Sequence, residues 1–354
     1  MSSPSAALDV AASVVPRKRW LSKQNWERIV SILILLPSII ALAIFVYGFI
    51  SWTGFVSLTA WNTTRPDFTF VGLANYATLF VGGGIDMIRF HYDIRNLIGF
   101  TFFFLVSCIL IGFLLATLLD RKIRGEGIFR SIFLFPMAIS FIVTGVAWRW
   151  ILTPGDPTTG AIGINLLLEN IGLGALQSRW FTDPFVYHIA ADSGLGQFLT
   201  SVGLGGLANK SVGYAAAITS LVIAAAWQMS GYTMALYLAG IRSIPDDLRE
   251  AARVDGASEW QVYRHIIIPL LSPVTLTVVI ILAHISLKIF DLVVSMTGGQ
   301  SGGFATDMPA VNMWETTFDG THFAQGASIA MILLLLVGTL IIPYLVWQTR
   351  QEER

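Results

Sequence analysis

The sequence predicts an all-α integral membrane protein with about six spanning helices. Of its 354 residues, 55% are apolar and only 12% are charged, about half the ~25% charged share of an ordinary globular chain. The few charges are clustered, which leaves long runs free of Asp, Glu, Lys and Arg. Those runs are continuously apolar, without the alternation of a membrane barrel. A chain with so few charges does not disperse as a soluble domain. Its apolar content disfavours disorder, and its net charge of zero disfavours nucleic-acid binding. A single cysteine, Cys108, excludes an internal disulfide framework and any CxxC site.

The charge-free runs cover 29–64, 96–119, 131–148, 211–241, 266–287 and 320–349. A helix crosses about 30 Å of hydrocarbon with about 20 residues, so each run is long enough or nearly so. The expected spans are 29–53, 96–119, 131–152, 214–240, 271–297 and 325–348. The first follows Arg17-Lys18-Arg19 but is too long for a signal-peptide core, so it is expected to stay as an anchor. Residues 1–28 form an N-terminal segment. Its first 16 residues are small and polar, and disorder is expected there. Trp20 to Arg28 could be a short surface helix with Trp20 and Trp26 on lipid. The third span ends on Trp148-Arg149-Trp150, where rings prefer the interface and the guanidinium can reach water. Together 29–348 make the transmembrane domain, and 349–354 is a short tail.

The charges give this arrangement a direction. Segments 1–28, 120–130, 241–270 and 349–354 hold 15 of the 22 Lys and Arg residues, and the opposite loops hold five. By the positive-inside rule both termini are expected in the cytoplasm, in a multi-pass protein of the inner (plasma) membrane. Outside, 153–213 is long and Gly-rich with Pro154, Pro157 and Pro184, which suggests turns and short helices. No fixed-period repeat stands out. Gly194-Leu-Gly196 and Gly203-Leu-Gly-Gly206 read as turns, and His91 and Asp93 as solvated loop residues. His188 and His322 have no partners at metal spacing, and no metal site is expected.

The cytoplasmic segment 241–270 carries the strongest signal. Ser243 and Asp246 have the spacing of a helix start, with Pro245 suited to the first turn. Asp246, Asp247 and Glu250 suit a helix N-terminus. Gly256 suits a left-handed C-terminal cap. A second helix starts with Ser258 and Gln261 in capping-box spacing and is expected to stop before Pro269, with Trp260, Tyr263 and Ile267 on one stripe. Helix, glycine turn and helix could form a docking knob for a soluble partner or an amphipathic linker on the bilayer.

Glu250-Ala251-Ala252, Asp255-Gly256 and Ile266-Ile-Ile-Pro269 resemble the EAA loop of permease subunits in binding-protein-dependent ABC importers. The family pattern is EAA, three residues, Gly, nine residues, then Ile-x-Leu-Pro. Only Ile268 departs from it, in place of Leu. Residues 239–245 and Thr297-Gly298-Gly299 look like flanking signatures of the carbohydrate branch, of the maltose-type first permease, and 304–315 is similar to α-glucoside permeases. The resemblance covers roughly 90–350. It implies the type I ABC importer permease fold, with Glu250, Ala251, Ala252, Asp255 and Gly256 coupling to an ATP-binding cassette subunit. It also implies a second permease, two cassettes that bind ATP and Mg, an extracytoplasmic solute-binding protein, and a di- or oligosaccharide or glucosyl cargo. The sequence has no Gly-Lys dipeptide and therefore no phosphate-binding loop of its own, so no cofactor or enzymatic activity is expected in this chain.

Ionisable groups at membrane depth are costly and mark candidate paths. His284, Lys288 and Asp291 fall in the fifth span at offsets of four and seven, on one helical face. They could line a sugar cavity, or Lys288 could pair with Asp291 or snorkel outward. In the fourth span, Trp227, Gln228, Gly231 and Tyr232 could offer an aromatic platform and a close approach, or could simply pack in the core. An ion-gradient-driven secondary transporter, with the three charged positions as relay groups, is the alternative. Its weakness is that six spans lack the repeats common in such folds.

Overall fold

Where nothing interrupts the apolar runs, they become long helices. The computed structural model describes residues 23–352 apart from 122, 157, 159, 210, 211 and 300–303. Contacts divide the chain into two units, Met1–Trp52 and Thr53–Arg354. In the first unit, α1 (Lys23–Leu42) passes through a π-helical turn, Ala43–Gly48, into α2 (Phe49–Ser57), whose residues from Thr53 on belong to the second unit. Trp20 lies outside the described residues. Among the described residues, 23–28 are not a separate surface helix but the first turns of α1.

The second unit continues with α3 (Ala74–Phe80) and α4 (Ile85–Asp120). At 36 residues, α4 is about 54 Å long, well beyond the ~30 Å hydrocarbon core. The expected boundary at 96 therefore falls inside a continuous helix. The third apolar run is not straight: α5 (Glu126–Leu134), a 3-10 turn at Phe135–Ala138 and α6 (Phe141–Leu152) bend by 99°. Pro136 supplies no N–H there, and Ser140 restarts the chain by accepting the Val143 N–H at 3.3 Å.

After α6, the pairs β1 (Gly155–Asp156) with β2 (Gly160–Ala161) and β3 (Val186–Tyr187) with β4 (Tyr214–Ala215) are antiparallel. Between them lie α7 (Gly163–Asn170) and α8 (Gly194–Ser201). Contrary to the expectation of no repeat, 163–177 and 194–208 fold alike, 31 residues apart. Gly194 and Gly196 belong to the first turn of α8 and are not a loop.

The central helix is α9 (Ile218–Ser243). It is buried over 72% of its apolar stretch, against 28% for α4 and 6% for the last helix. Close contact with α4 explains this, since a Cβ at Gly112 would sit 2.9 Å from the Met234 backbone nitrogen. Short side chains at helix crossings are what lipid-embedded packing uses.

After α9 come α10 (Asp246–Val254) and α11 (Glu259–Val262), which passes through a π-helical turn at Tyr263–Ile267 into α12 (Ile268–Leu270). The helix does not stop before Pro269, as expected from sequence. The widened turn just before the proline opens the ladder where its ring would strike the carbonyl four residues back. The bend, 63°, comes only at Leu271, before α13 (Ser272–Leu287). The fifth span is then broken: α13 ends at Leu287, and α14 (Asp291–Thr297) starts after three non-helical residues. A Cβ at Gly145 of α6 would strike the Ser295 hydroxyl of α14, so the two helices lie in close contact. The chain closes with α15 (Pro309–Trp314), a π turn at Glu315–Asp319 and α16 (Phe323–Glu352). Among the described residues, four helices are long and apolar enough to cross a membrane, or up to six if each bent pair is one span.

Candidate functional site

The loop that follows α9 takes its shape from local chemistry. Helix α10 starts at Asp246 after Pro245. Ser243 does not cap it, as its spacing had suggested, but stays in α9 and donates to the Gly240 carbonyl at 2.8 Å. At the other end Gly256 has φ +84°. Its N–H reaches the Arg253 carbonyl at 3.0 Å, and the Ala257 N–H reaches the Ala252 carbonyl at 2.9 Å. This is a Schellman turn, which requires the left-handed conformation that glycine adopts without strain. No atom lies within 4 Å of a Cβ at this position, so the glycine serves the turn and not a tight contact. The capping box that follows is complete: Ser258 accepts the Gln261 N–H, and the Gln261 side chain accepts the Ser258 N–H at 2.7 Å.

The loop is fastened to the helices above it. Arg249 donates to Asp120 Oδ2 at 2.8 Å and to the Ile241 carbonyl at 2.7 Å, and the Tyr263 hydroxyl reaches the same carboxylate at 3.5 Å. Arg242 pairs with Glu126 at 2.9 Å and holds that carboxyl below its usual range. Val262 and Ile267 are buried beneath the loop, while Trp260 points away, so the expected stripe of Trp260, Tyr263 and Ile267 is not shared. The π turn between them shifts the helical register.

What remains outward is a mixed surface. Glu250, Ala251, Asp255 and Gly256 are exposed, and Ala252 is half-buried against the core. Leu248, Val254 and Trp260 are exposed apolar residues among them. A groove of about 640 Å³ runs beside them, lined by Asp120, Arg121, Arg249, Glu250, Arg253 and Glu259 among others. Arg253 pairs with Glu259 at 2.8 Å and lowers its carboxyl pKa. Both side chains are exposed, so this pair adds little stability.

The polar residues within the spans divide. Lys288 and Asp291 flank the break between α13 and α14, so the continuous face expected for His284, Lys288 and Asp291 does not exist. They form no ion pair with each other among the described residues. Both line a cavity of about 270 Å³ with Phe141, Ile285, Ile289 and Phe290. His284 is not among its lining residues, and its Nδ1 is buried without a hydrogen bond.

The fourth-span group does not reach this cavity. Trp227 is half-exposed and meets Trp148 edge to face at 5.9 Å. Gln228 is buried and donates to the Ile139 carbonyl at 2.6 Å. A Cβ on Gly231 would overlap the Phe133 carbonyl, so this glycine admits the α5 backbone and not a ligand. Tyr232 packs partly buried against the apolar core.

In the N-terminal part of α4 a polar cluster was not foreseen. Asp93, expected to be solvated, is fully buried and accepts from Asn312 Nδ2. Asn96 Nδ2 donates to the Phe304 and Asp307 carbonyls at 2.9 Å each. Arg89 bonds the buried Asp307 at 2.6 Å and also Glu315. Burial pushes the Asp307 carboxyl up, and Arg89 counters it. These bonds clasp the outer end of α4 to 304–315 across more than 200 residues of sequence.

Comparison with known proteins places this architecture. Residues 108–348 match the family described as the binding-protein-dependent transport system inner membrane component. The chain belongs to this family. A probable ABC transporter permease protein of Pyrococcus horikoshii is 40% identical over 323 residues, which cover 91% of this chain and 97% of that one. The xylose/arabinose import permease protein XacH of Haloferax volcanii is 31% identical, covering 88% and 86%. Among solved structures, a chain of a bacterial alginate ABC transporter, in complex with an alginate pentasaccharide-bound periplasmic protein, has a TM-score of 0.65 at 19% identity, covering 90% of this chain and 93% of that one. The fold is that of a type I ABC importer permease. Nothing among these relatives supports the ion-gradient alternative.

Proposed function

We propose that this permease imports a carbohydrate with energy from ATP held by partner subunits, coupling to them through Glu250, Ala251, Ala252, Asp255 and Gly256. The observation that carries it is the cytoplasmic loop. It offers an outward surface of Leu248, Glu250, Val254 and Trp260 while Arg249 fixes the same helix to α4 and α9. A push on this loop therefore acts on membrane helices and is not absorbed in a flexible link.

The partners are two ATP-binding cassette subunits that hold ATP and Mg, a second permease that completes the path, and an extracytoplasmic solute-binding protein that delivers cargo. The charge bias of 15 inside to five outside supports cytoplasmic termini and a plasma-membrane location. A sugar cargo, di- or oligosaccharide or glucosyl, is favoured by the pentose importer among the relatives and the alginate importer among the structures. Within this chain, Lys288, Asp291 and Phe141 offer charge, hydrogen bonds and an aromatic face in one cavity, the combination that polyols need.

Vesicles carrying the assembled importer test this. Uptake of labelled pentoses and glucosyl disaccharides is expected to require both internal ATP and the external binding protein. Uptake that persists without ATP and collapses with a protonophore contradicts it.

A further inference from the structure

Between α6 and α9 the chain contains one small module twice. Residues 163–177 and 194–208 align at an offset of 31, with six of fifteen positions identical, among them Gly172 with Gly203 and Leu176 with Leu207. In each copy an eight-residue helix ends on a left-handed glycine, at φ 78° for Gly172 and 79° for Gly203. A 3-10 turn follows, Gly174–Leu176 or Gly205–Leu207. The backbone bonds correspond: Leu173 N–H to the Leu168 carbonyl and Leu204 N–H to the Leu199 carbonyl are both 2.8 Å.

Both copies turn the same apolar positions outward. Leu167 and Phe198, Ile171 and Val202, Leu173 and Leu204, and Leu176 and Leu207 are all exposed. Glu169 is the single charged residue of the first copy, and the second has none. A contiguous face of this kind marks a contact with something other than water.

The attachment of each module shows what that is. A Cβ at Gly163 would sit 3.0 Å from the Trp150 carbonyl and closer to that of Ile151. The first module therefore starts at the end of α6, where Trp148, Arg149 and Trp150 mark the outer boundary of the bilayer. The second hangs between β3 and β4. Tyr214 of β4 packs against Gly99, and its ring lies 4.7 Å from that of Phe103 at a tilt of 58°, beside the exposed Ile98 and Phe102 of α4. Both modules thus adjoin helices that carry exposed apolar side chains, Trp150 on α6 and Ile98 and Phe102 on α4.

We propose that the two modules lie on the membrane, with their outward Leu, Ile, Val and Phe side chains inserted at the headgroup–acyl boundary of the outer leaflet. The test uses the full importer in phospholipid vesicles, in a Cys108→Ala background. Leu167→Cys and Phe198→Cys carry an environment-sensitive fluorophore, and Thr64→Cys, exposed in the polar loop before α3, serves as the control. The two module probes are expected to emit at shorter wavelength, to be quenched by acyl-brominated lipid and to resist iodide, with the control reversed. Ile171→Cys and Val202→Cys repeat the measurement at a second matched position in case the first pair does not assemble. Quenching of the module probes by iodide and not by brominated lipid overturns the proposal. So does a response only to added solute-binding protein, which would make this a protein-docking face.

Discussion

Arg249 donates from Nη1 to Asp120 Oδ2 at 2.8 Å and from Nη2 to the Ile241 carbonyl at 2.7 Å. One guanidinium therefore joins α10 to the C-terminal ends of both α4 and α9. Its side chain and that of Asp120 are only 13% and 12% exposed, so solvent screens the pair less than a surface bridge. Arg249→Ala and Asp120→Ala are each expected to cost about 2 kcal/mol, as for hydrogen bonds to charged groups. Their double variant should cost much less than the sum, because they remove one interaction. Thermal unfolding of the purified importer checks this, and strict additivity would show the contact to be energetically idle.

Removing Arg89 leaves Asp307, which is fully buried, without its cation. Arg89→Ala is expected to destabilise by about 3–5 kcal/mol at neutral pH. Burial already raises the Asp307 pKa, and losing Arg89 raises it further. The folded state then favours the protonated acid. Stability of the variant should fall as pH rises from the unfolded carboxyl value through the folded one, and part of the loss should be recovered near pH 5. Unfolding curves at pH 5 and 7.5 compare the two, and an equal deficit at both would contradict the sign.

Gly231 separates packing from ligand contact. A Cβ there meets the Phe133 backbone carbonyl, which cannot move aside as a flexible side chain can. Gly231→Ala is expected to cost about 1–3 kcal/mol. Gly127→Ala, where no atom lies within 4 Å, should be neutral or slightly stabilising. Yield and melting temperature in detergent report both, and an unaffected Gly231→Ala protein would refute the close approach.

Asp291→Asn and Lys288→Met address the cavity at the helix break. Each is expected to raise the apparent KM for the sugar about tenfold, a loss of about 1.4 kcal/mol of binding, while ATP hydrolysis by the assembled complex persists. Unchanged KM in both would remove these residues from the cargo path.

The apolar segments were legible because charge is scarce and its absence is unmistakable over 20 residues, although only four of the described helices are long enough to span, or six if each bent pair is one span. The interruptions were less so. Pro136 and Pro269 announce disruption, but at Pro269 the chain widens one turn and bends later, at Leu271. The break at Lys288-Ile289-Phe290 has no Gly or Pro to announce it; close packing of α14 on α6 through Gly145 overrides local propensity. Asp93 looked like a solvated loop residue because its partner, Asn312, lies 219 positions away. The cytoplasmic loop was read most fully, since the glycine turn and capping box are set by neighbours in sequence. The repeated outer module escaped because its copies share a backbone more than a composition.

The coupling role of the loop is tested most directly at Gly256. Proline fixes φ near −65° and cannot adopt the +84° of this turn, so Gly256→Pro must break the Schellman motif without touching any packed neighbour. Alanine, with open space around its Cβ, incurs only the ~1–2 kcal/mol of left-handed strain. Sugar uptake and ATP hydrolysis are measured together in vesicles for both variants, with assembly verified by co-purification of the cassettes. The expected result is that Gly256→Ala retains most uptake, while Gly256→Pro inserts in the membrane and loses uptake out of proportion to ATP hydrolysis. Uptake at the wild-type rate in Gly256→Pro would contradict coupling through this loop.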